Sequence, residues 1–168
     1  MAYELVITQF SKMLKNLSAL MDKGLQYAEE KKFDPNVLLE ARLAPDMFSF
    51  TRQIQITCDT AKYGAGLLAG REVPVHADNE QSLGELKARI DSVLSYLSDF
   101  SQADFEGAKD RKIARPRWEG KYLSGEEYLH QHLIPNFYFH VCMAYAILRH
   151  NGVNVGKKDF LGELPYKR

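Results

Sequence analysis

The chain has 168 residues, enough for one domain that removes roughly two thirds of its unfolded surface from water without disulfides or structural metal. Its 22 basic and 22 acidic side chains cancel, so no global field attracts a polyanion, and nucleic acid and anionic membranes are not expected partners. No apolar run approaches the ~18 residues of a membrane span and the N-terminus carries no leader pattern, which points to a cytoplasmic address. Cys58 and Cys142 lack metal or redox spacing and lie in apolar helical patterns, so both read as buried thiols in a reducing compartment.

From Ala2 to about Lys31, apolar residues at Val6, Phe10, Met13, Leu17, Leu20 and Met21 follow helical spacing. Asp34-Pro35-Asn36 reads as an N-cap with proline at the first helical position, and predicts a short helical turn over Val37-Leu38-Leu39. Pro45-Asp46 is expected to open a second long helix that ends at Gly70, with Ile54, Cys58, Ala61, Ala65 and Leu68 on its inner face. Gly64 and Gly66 within it imply a close approach of two backbones, inside the bundle or at a dimer seam.

Ser82-Leu83-Gly84-Glu85 is a capping box opening a third helix, whose stripe is Leu83, Leu86, Ile90, Val93, Leu94 and Leu97. Between about Ser101 and Leu123 the helical period fails, and Ile113, Pro116, Trp118, Gly120 and Tyr122 suggest a long ordered loop or a small two-stranded ribbon. Its cations Lys109, Arg111, Lys112, Arg115, Arg117 and Lys121, interleaved with Asp110 and Glu119, read as a solvated face. Trp118 is placed to cap the bundle end or to close a pocket mouth.

Ser124-Gly125-Glu126-Glu127 is a second capping box, starting a last helix that runs to Asn151 and ends on Gly152 in the left-handed conformation. Pro135 should kink or divide it. Phe137, Tyr138 and Phe139 cannot all face one core, so the run implies a second packing surface and hence a homodimer. His130 and His132, two apart, read as surface residues, and His150 as a C-terminal helix cap. Residues 153–168 form a tail whose Phe160 and Leu161 are expected to dock on the bundle. The whole chain, 1–168, then reads as a single all-α four-helix bundle domain.

The last helix also carries a resemblance. Pro135 through Val153, ending in Leu148-Arg149-His150-Asn151-Gly152, resembles the last helix of the DinB/YfiT-like metalloenzyme superfamily. Gln55-Ile56, Ala69-Gly70, Ser124 through Leu129, and Pro135 through Gly162 are similar to its DUF1993 branch. The resemblance implies an up-down-down-up bundle with the last helix beside the second. In metal-binding DinB relatives the last helix presents two histidines four residues apart, the second nine residues before an Arg-x-x-Gly. Counting back from Arg149 puts His140 at the second position and Asn136 at the first.

The third ligand position, on the second helix about fifteen residues before its Leu-x-Gly stop, falls on Gln55, with Gln53 as the other register. Asp59 lies one turn beyond Gln55 and is available as a carboxylate or as an orienting group for His140. A set of His140, Asn136, Gln55 and Asp59 is rich in amides, which are poor ligands for zinc or nickel. The expectation is therefore a degenerate metal site without a cofactor, in a non-catalytic dimer that binds a small ligand or a partner. The alternative is an enzyme that uses a divalent metal such as Zn or Ni for thiol-dependent transfer or hydrolysis of a small molecule.

Overall fold

In the computed structural model, which describes residues 1–167, helices carry nearly all of the core. A π-helical turn, Glu4–Gln9, runs directly into α1 (Phe10–Lys31). Val6, Phe10, Leu14, Leu17 and Met21 are fully buried along its inner face. The helix stops where Lys32 turns left-handed (φ 59°) and the Phe33 N–H returns 3.0 Å to the Ala28 carbonyl. The Asp34 carboxylate then accepts the Asn36 N–H at 2.9 Å, capping the 3-10 helix Pro35–Glu40 as its sequence predicted.

The next helix starts later than Pro45. Pro45-Asp46 instead form a turn closed by the Met47 N–H on the Ala44 carbonyl at 3.0 Å, and α2 is Phe50–Ala69. Its start is set by tertiary anchoring, because the Phe50 side chain is buried and its N–H reaches the Ala41 carbonyl at 2.9 Å. Gly70 (φ 68°) ends it.

An irregular connection leads to α3 (Leu83–Ser98), where only half of the expected capping box forms. Ser82 Oγ accepts the Glu85 N–H at 3.1 Å, but the Glu85 carboxylate accepts from Gln81 N–H, one residue short of the cap itself.

The segment before the last long helix is a ribbon, with β1 (Lys112–Ala114) antiparallel to β2 (Tyr122–Ser124) and Ile113 opposite Leu123. Here the capping box is complete: Glu127 N–H donates to Ser124 Oγ at 3.2 Å and Ser124 N–H to the Glu127 carboxylate at 2.9 Å. The box starts α4 (Gly125–Glu127), which continues through a π-helical turn, Tyr128–Leu133, into α5 (Ile134–His150). Pro135 therefore lies in the first turn of α5, after a wider helical turn, where its missing N–H is tolerated. Gly152 (φ 92°) follows the helix, and Val153 and Val155 are buried beyond it. A short helix, α6 (Lys157–Leu161), lies on α1, where Asn16 donates to the Phe160 carbonyl at 3.0 Å and Lys23 pairs with Asp159 at 2.7 Å.

α2 is the central element, packed on α5 on one side and on α3 on the other, while α1 packs on α3, α5 and α6. Phe10 stacks on Phe137 with centroids 3.8 Å apart. Gly64 and Gly66 both serve close packing within the chain. A Cβ on Gly64 would stand 2.7 Å from the Leu133 methyls, and one on Gly66 would stand 2.8 Å from the Tyr96 hydroxyl. Among the described residues no helix is long and apolar enough to cross a membrane.

Two glycine substitutions should move stability in opposite directions. A Cβ on Gly125 would collide with the Ala108 carbonyl oxygen, a backbone atom, so Gly125→Ala is expected to lower stability by about 2 kcal/mol or more. Gly84, exposed in the first turn of α3 with only Ser82 Oγ nearby at 3.8 Å, should gain about 0.5 kcal/mol as alanine. Urea denaturation of both variants checks the pair.

Candidate functional site

Gln53, Thr57 and Thr60 recur at helical spacing and are all buried on α2. Gln53 and Thr60 meet α5. His140, 6% exposed, lies with its Nδ1 2.7 Å from Gln53 Oε1. The Gln53 amide nitrogen is committed to the Phe48 carbonyl at 3.3 Å, so its oxygen faces the imidazole and accepts the Nδ1–H. The His140 Nε2 lone pair is left without a hydrogen-bond donor among the described residues. Burial first, and then the charge of Arg52, push the His140 pKa down to about 4, so the ring is neutral at physiological pH. One turn earlier on α5, Asn136 donates its amide to Thr60 Oγ1 at 2.8 Å. Thr57 closes the row by donating to the Gln53 carbonyl at 2.8 Å.

Gln55 and Asp59 are not bonded to that row. The helix-two partner of His140 is Gln53, the second of the two registers considered, because Gln55 lies about 200° further round the helix. Gln55 accepts from Arg52 at 3.0 Å and donates to Glu80 at 2.9 Å. Asp59 receives Arg89 and Lys62, each at 2.8 Å. The centre of this second cluster is Arg89 on α3, 3% exposed, which also binds Asp78 and Glu80 from the connection before α3, the latter at 2.8 Å.

Burial works against each charge here, and the mutual bonds outweigh it. Hydrogen bonds from Arg89 and Arg52 hold Asp78 below its ordinary range, and those from Arg89 and Gln55 do the same for Glu80; their carboxylates raise Arg89 in turn. Lys62 Nζ donates to His76 Nδ1 at 2.7 Å, and His76 Nε2–H points to Ser92 Oγ at 3.3 Å. In that tautomer His76 has no lone pair to offer the serine, so the pair is not a nucleophile and base.

Other expectations are corrected at single residues. Cys58 is fully buried, with burial pushing its thiol up to about 12, but Cys142 is exposed on the outer side of α5. His132 is half-buried between the rings of Trp118 and Tyr128, at 5.5 Å from each, instead of lying free on the surface. Of Phe137, Tyr138 and Phe139, the first is fully buried and the last is 51% exposed. The apolar cleft of about 230 Å³ between Leu68, Phe105 and Leu129 includes neither His140 nor its partners.

A helical bundle whose last long helix brings a histidine to the second is the arrangement that the DinB resemblance implies. The chain is similar to the crystal structure of a DinB family member protein from Shewanella denitrificans, at 56% identity and a TM-score of 0.96, over 99% of this chain and 94% of that one. The family model described as "Domain of unknown function (DUF1993)" matches residues 2–161, and the chain belongs to that family. No functionally curated protein matches it.

The donor set does not fit a tightly held metal. Around His140 the groups are two amides and two threonine hydroxyls, the Nδ1 side is consumed by Gln53, and no three His, Cys, Asp or Glu side chains converge among the described residues.

Arg89→Met should cost about 3 kcal/mol in chemical denaturation, because Asp59, Asp78 and Glu80 would lose their shared cation while remaining partly buried. His140 supplies a separate acid-side signature. Its folded pKa of about 4 lies below the ordinary 6.5, so its contribution is complete above pH 6.5 and is lost as pH falls toward 4. The stability difference between wild type and His140→Gln should therefore shrink over that interval, by up to about 3 kcal/mol. Thermal melts of the two proteins from pH 7 to pH 4 would read it.

Proposed function

We propose that this DUF1993 protein is a non-catalytic, dimeric helical bundle that binds a small ligand or a partner beside helices α2 and α5, its DinB-type metal site replaced by a hydrogen-bonded seam. The carrying observation is the pairing itself. The two α5 positions that the DinB resemblance assigns to metal ligands are His140 and Asn136, and each is bonded across the seam, to Gln53 and to Thr60. Groups engaged in this way lock two helices together.

Several further observations support the finer features of this reading. Exposed Phe48 and Phe139 both neighbour the His140 ring and offer an apolar surface to a second copy. Both cysteines are free, which fits a reducing, cytoplasmic setting. The order of cross-helix pairs supports the up-down-down-up topology. Phe10 meets Phe137 and Gly24 faces Leu148, whereas Gln53 meets His140 and Thr60 meets Asn136; between α2 and its neighbour, Asp59 meets Arg89 and Arg71 meets Asp99. Burial of Val153 and Val155, with the α6 contacts to α1, supports a single domain with 153–168 as a docked tail, Arg168 lying outside the described residues.

Protein prepared without chelator or affinity tag should hold far less than one equivalent of zinc or nickel per chain by elemental analysis. The double variant Gln53→His/Asn136→His, which restores imidazoles beside His140, should gain zinc affinity in calorimetric titration. Near-stoichiometric, tightly held metal in the wild type would instead favour the second reading, a metal-dependent transferase or hydrolase, to which the free Nε2 lone pair of His140 lends its only structural support. Light scattering at micromolar concentration should give twice the chain mass, and Phe139→Glu should return it to a monomer.

A further inference from the structure

We propose that the cleft between the β-ribbon and the π-helical turn before α5, lined by Arg117, Trp118, Lys121, Tyr122 and His132, binds a small anion that carries a planar ring. The cleft measures about 470 Å³, within the range of small-molecule sites, and Leu123 adds an aliphatic side chain to its lining. It lies apart from His140 and stands independently of the reading of the α2–α5 seam.

Two aromatic rings line the cleft, and one of them is held by packing against its neighbours. The Trp118 indole meets Tyr128 edge-on with centroids 6.1 Å apart and His132 at 5.5 Å, and is only half-buried. Tyr122 is 58% exposed on β2. Lys112 Nζ lies 4.1 Å from the centroid of its ring. A planar group entering the cleft therefore finds one ring already held by packing and a second, exposed ring beside it.

The charges complete the argument. Arg117 donates to His132 Nε2 at 3.3 Å, so His132 accepts as a neutral imidazole, held so by burial and by the neighbouring Arg117 and Arg115. The guanidinium is thus positioned by a partner that cancels none of its charge. Among the described residues no carboxylate comes within salt-bridge distance of Lys112, Arg115, Arg117 or Lys121. Glu119 is the single acid in the lining. In a chain whose charges cancel overall, two lining cations against one acid, beside these rings, select a phosphate monoester or carboxylate joined to a ring.

Trp118 is the chain's one tryptophan, which makes its fluorescence a direct readout. Phenyl phosphate is the probe, with inorganic phosphate and phenol as its two halves, each followed by fluorescence and by isothermal titration calorimetry. Saturable quenching by phenyl phosphate is expected, with either half binding at least about tenfold more weakly. Arg117→Gln/Lys121→Gln should weaken phenyl phosphate by about tenfold or more at unchanged melting temperature, and added salt should do the same to the wild type. No saturable signal up to millimolar phenyl phosphate overturns the proposal. So does binding of phosphate or phenol alone as tight as that of the probe, or a double variant that binds it normally.

Discussion

The burial of one guanidinium organises this bundle. Arg89 is held on α3 with almost no exposure, and a cation in that position is tolerated only when carboxylates surround it. Asp59 comes from α2, whereas Asp78 and Glu80 come from the connection that crosses from the end of α2 to the start of α3. The cluster therefore ties a long irregular segment to the two helices it joins. Asp78 takes a left-handed backbone conformation (φ 56°) while binding both Arg89 and Arg52, so backbone strain there is offset by two charge-assisted bonds.

That arrangement decides what the other side of α2 can do. With Gln55, Asp59 and Lys62 engaged with α3, the connection before it or one another, the α2 side chains bonded to α5 among the described residues are Gln53 and Thr60, an amide and a hydroxyl. Among the described residues no carboxylate is hydrogen-bonded to His140 to make it more basic or to orient it as a metal ligand, and its burial keeps it neutral. The seam thus carries specificity of helix pairing. Two polar bonds a turn apart on α5 penalise any slip of α5 along α2, because a slip would leave a buried amide and an imidazole unpaired.

How much of this was legible in the sequence followed the range of the forces involved. Locally encoded features were readable: the Ser124–Glu127 box, the Gly70 and Gly152 stops, the Asp34 cap and the apolar stripes all depend on residues within a turn of one another. Features set by distant contacts were not. Pro45 looked like a helix start, but the chain waits until Phe50 can be buried and its N–H tied to Ala41. Glu85 has the right spacing for a reciprocal cap yet bonds one residue too early. The ionic role of Arg89 had no local signal, because its partner Asp59 lies 30 residues away. The site suffered most, since a two-residue shift in register exchanges Gln55 for Gln53 and thereby exchanges an ionic cluster for a neutral seam. A period-3.6 reading places residues on a face only to within that shift.

The same burial that stabilises α2 also limits the chemistry open to the protein. Cys58 lies on α2 in the core beside Asp59, and burial together with that carboxylate outweighs the nearby cations and keeps the thiol protonated. Cys142, though exposed, is raised as well. Neither thiol supplies a nucleophile at neutral pH, so any thiol-dependent reaction at this bundle would need its thiol from a second substrate. His140 would then have to serve as the base with a pKa near 4, a weak proton acceptor for a thiol of ordinary acidity near 8.5. The mismatch of more than four units is a barrier that a bound divalent cation normally removes, and the seam around His140 provides no second strong ligand to hold one.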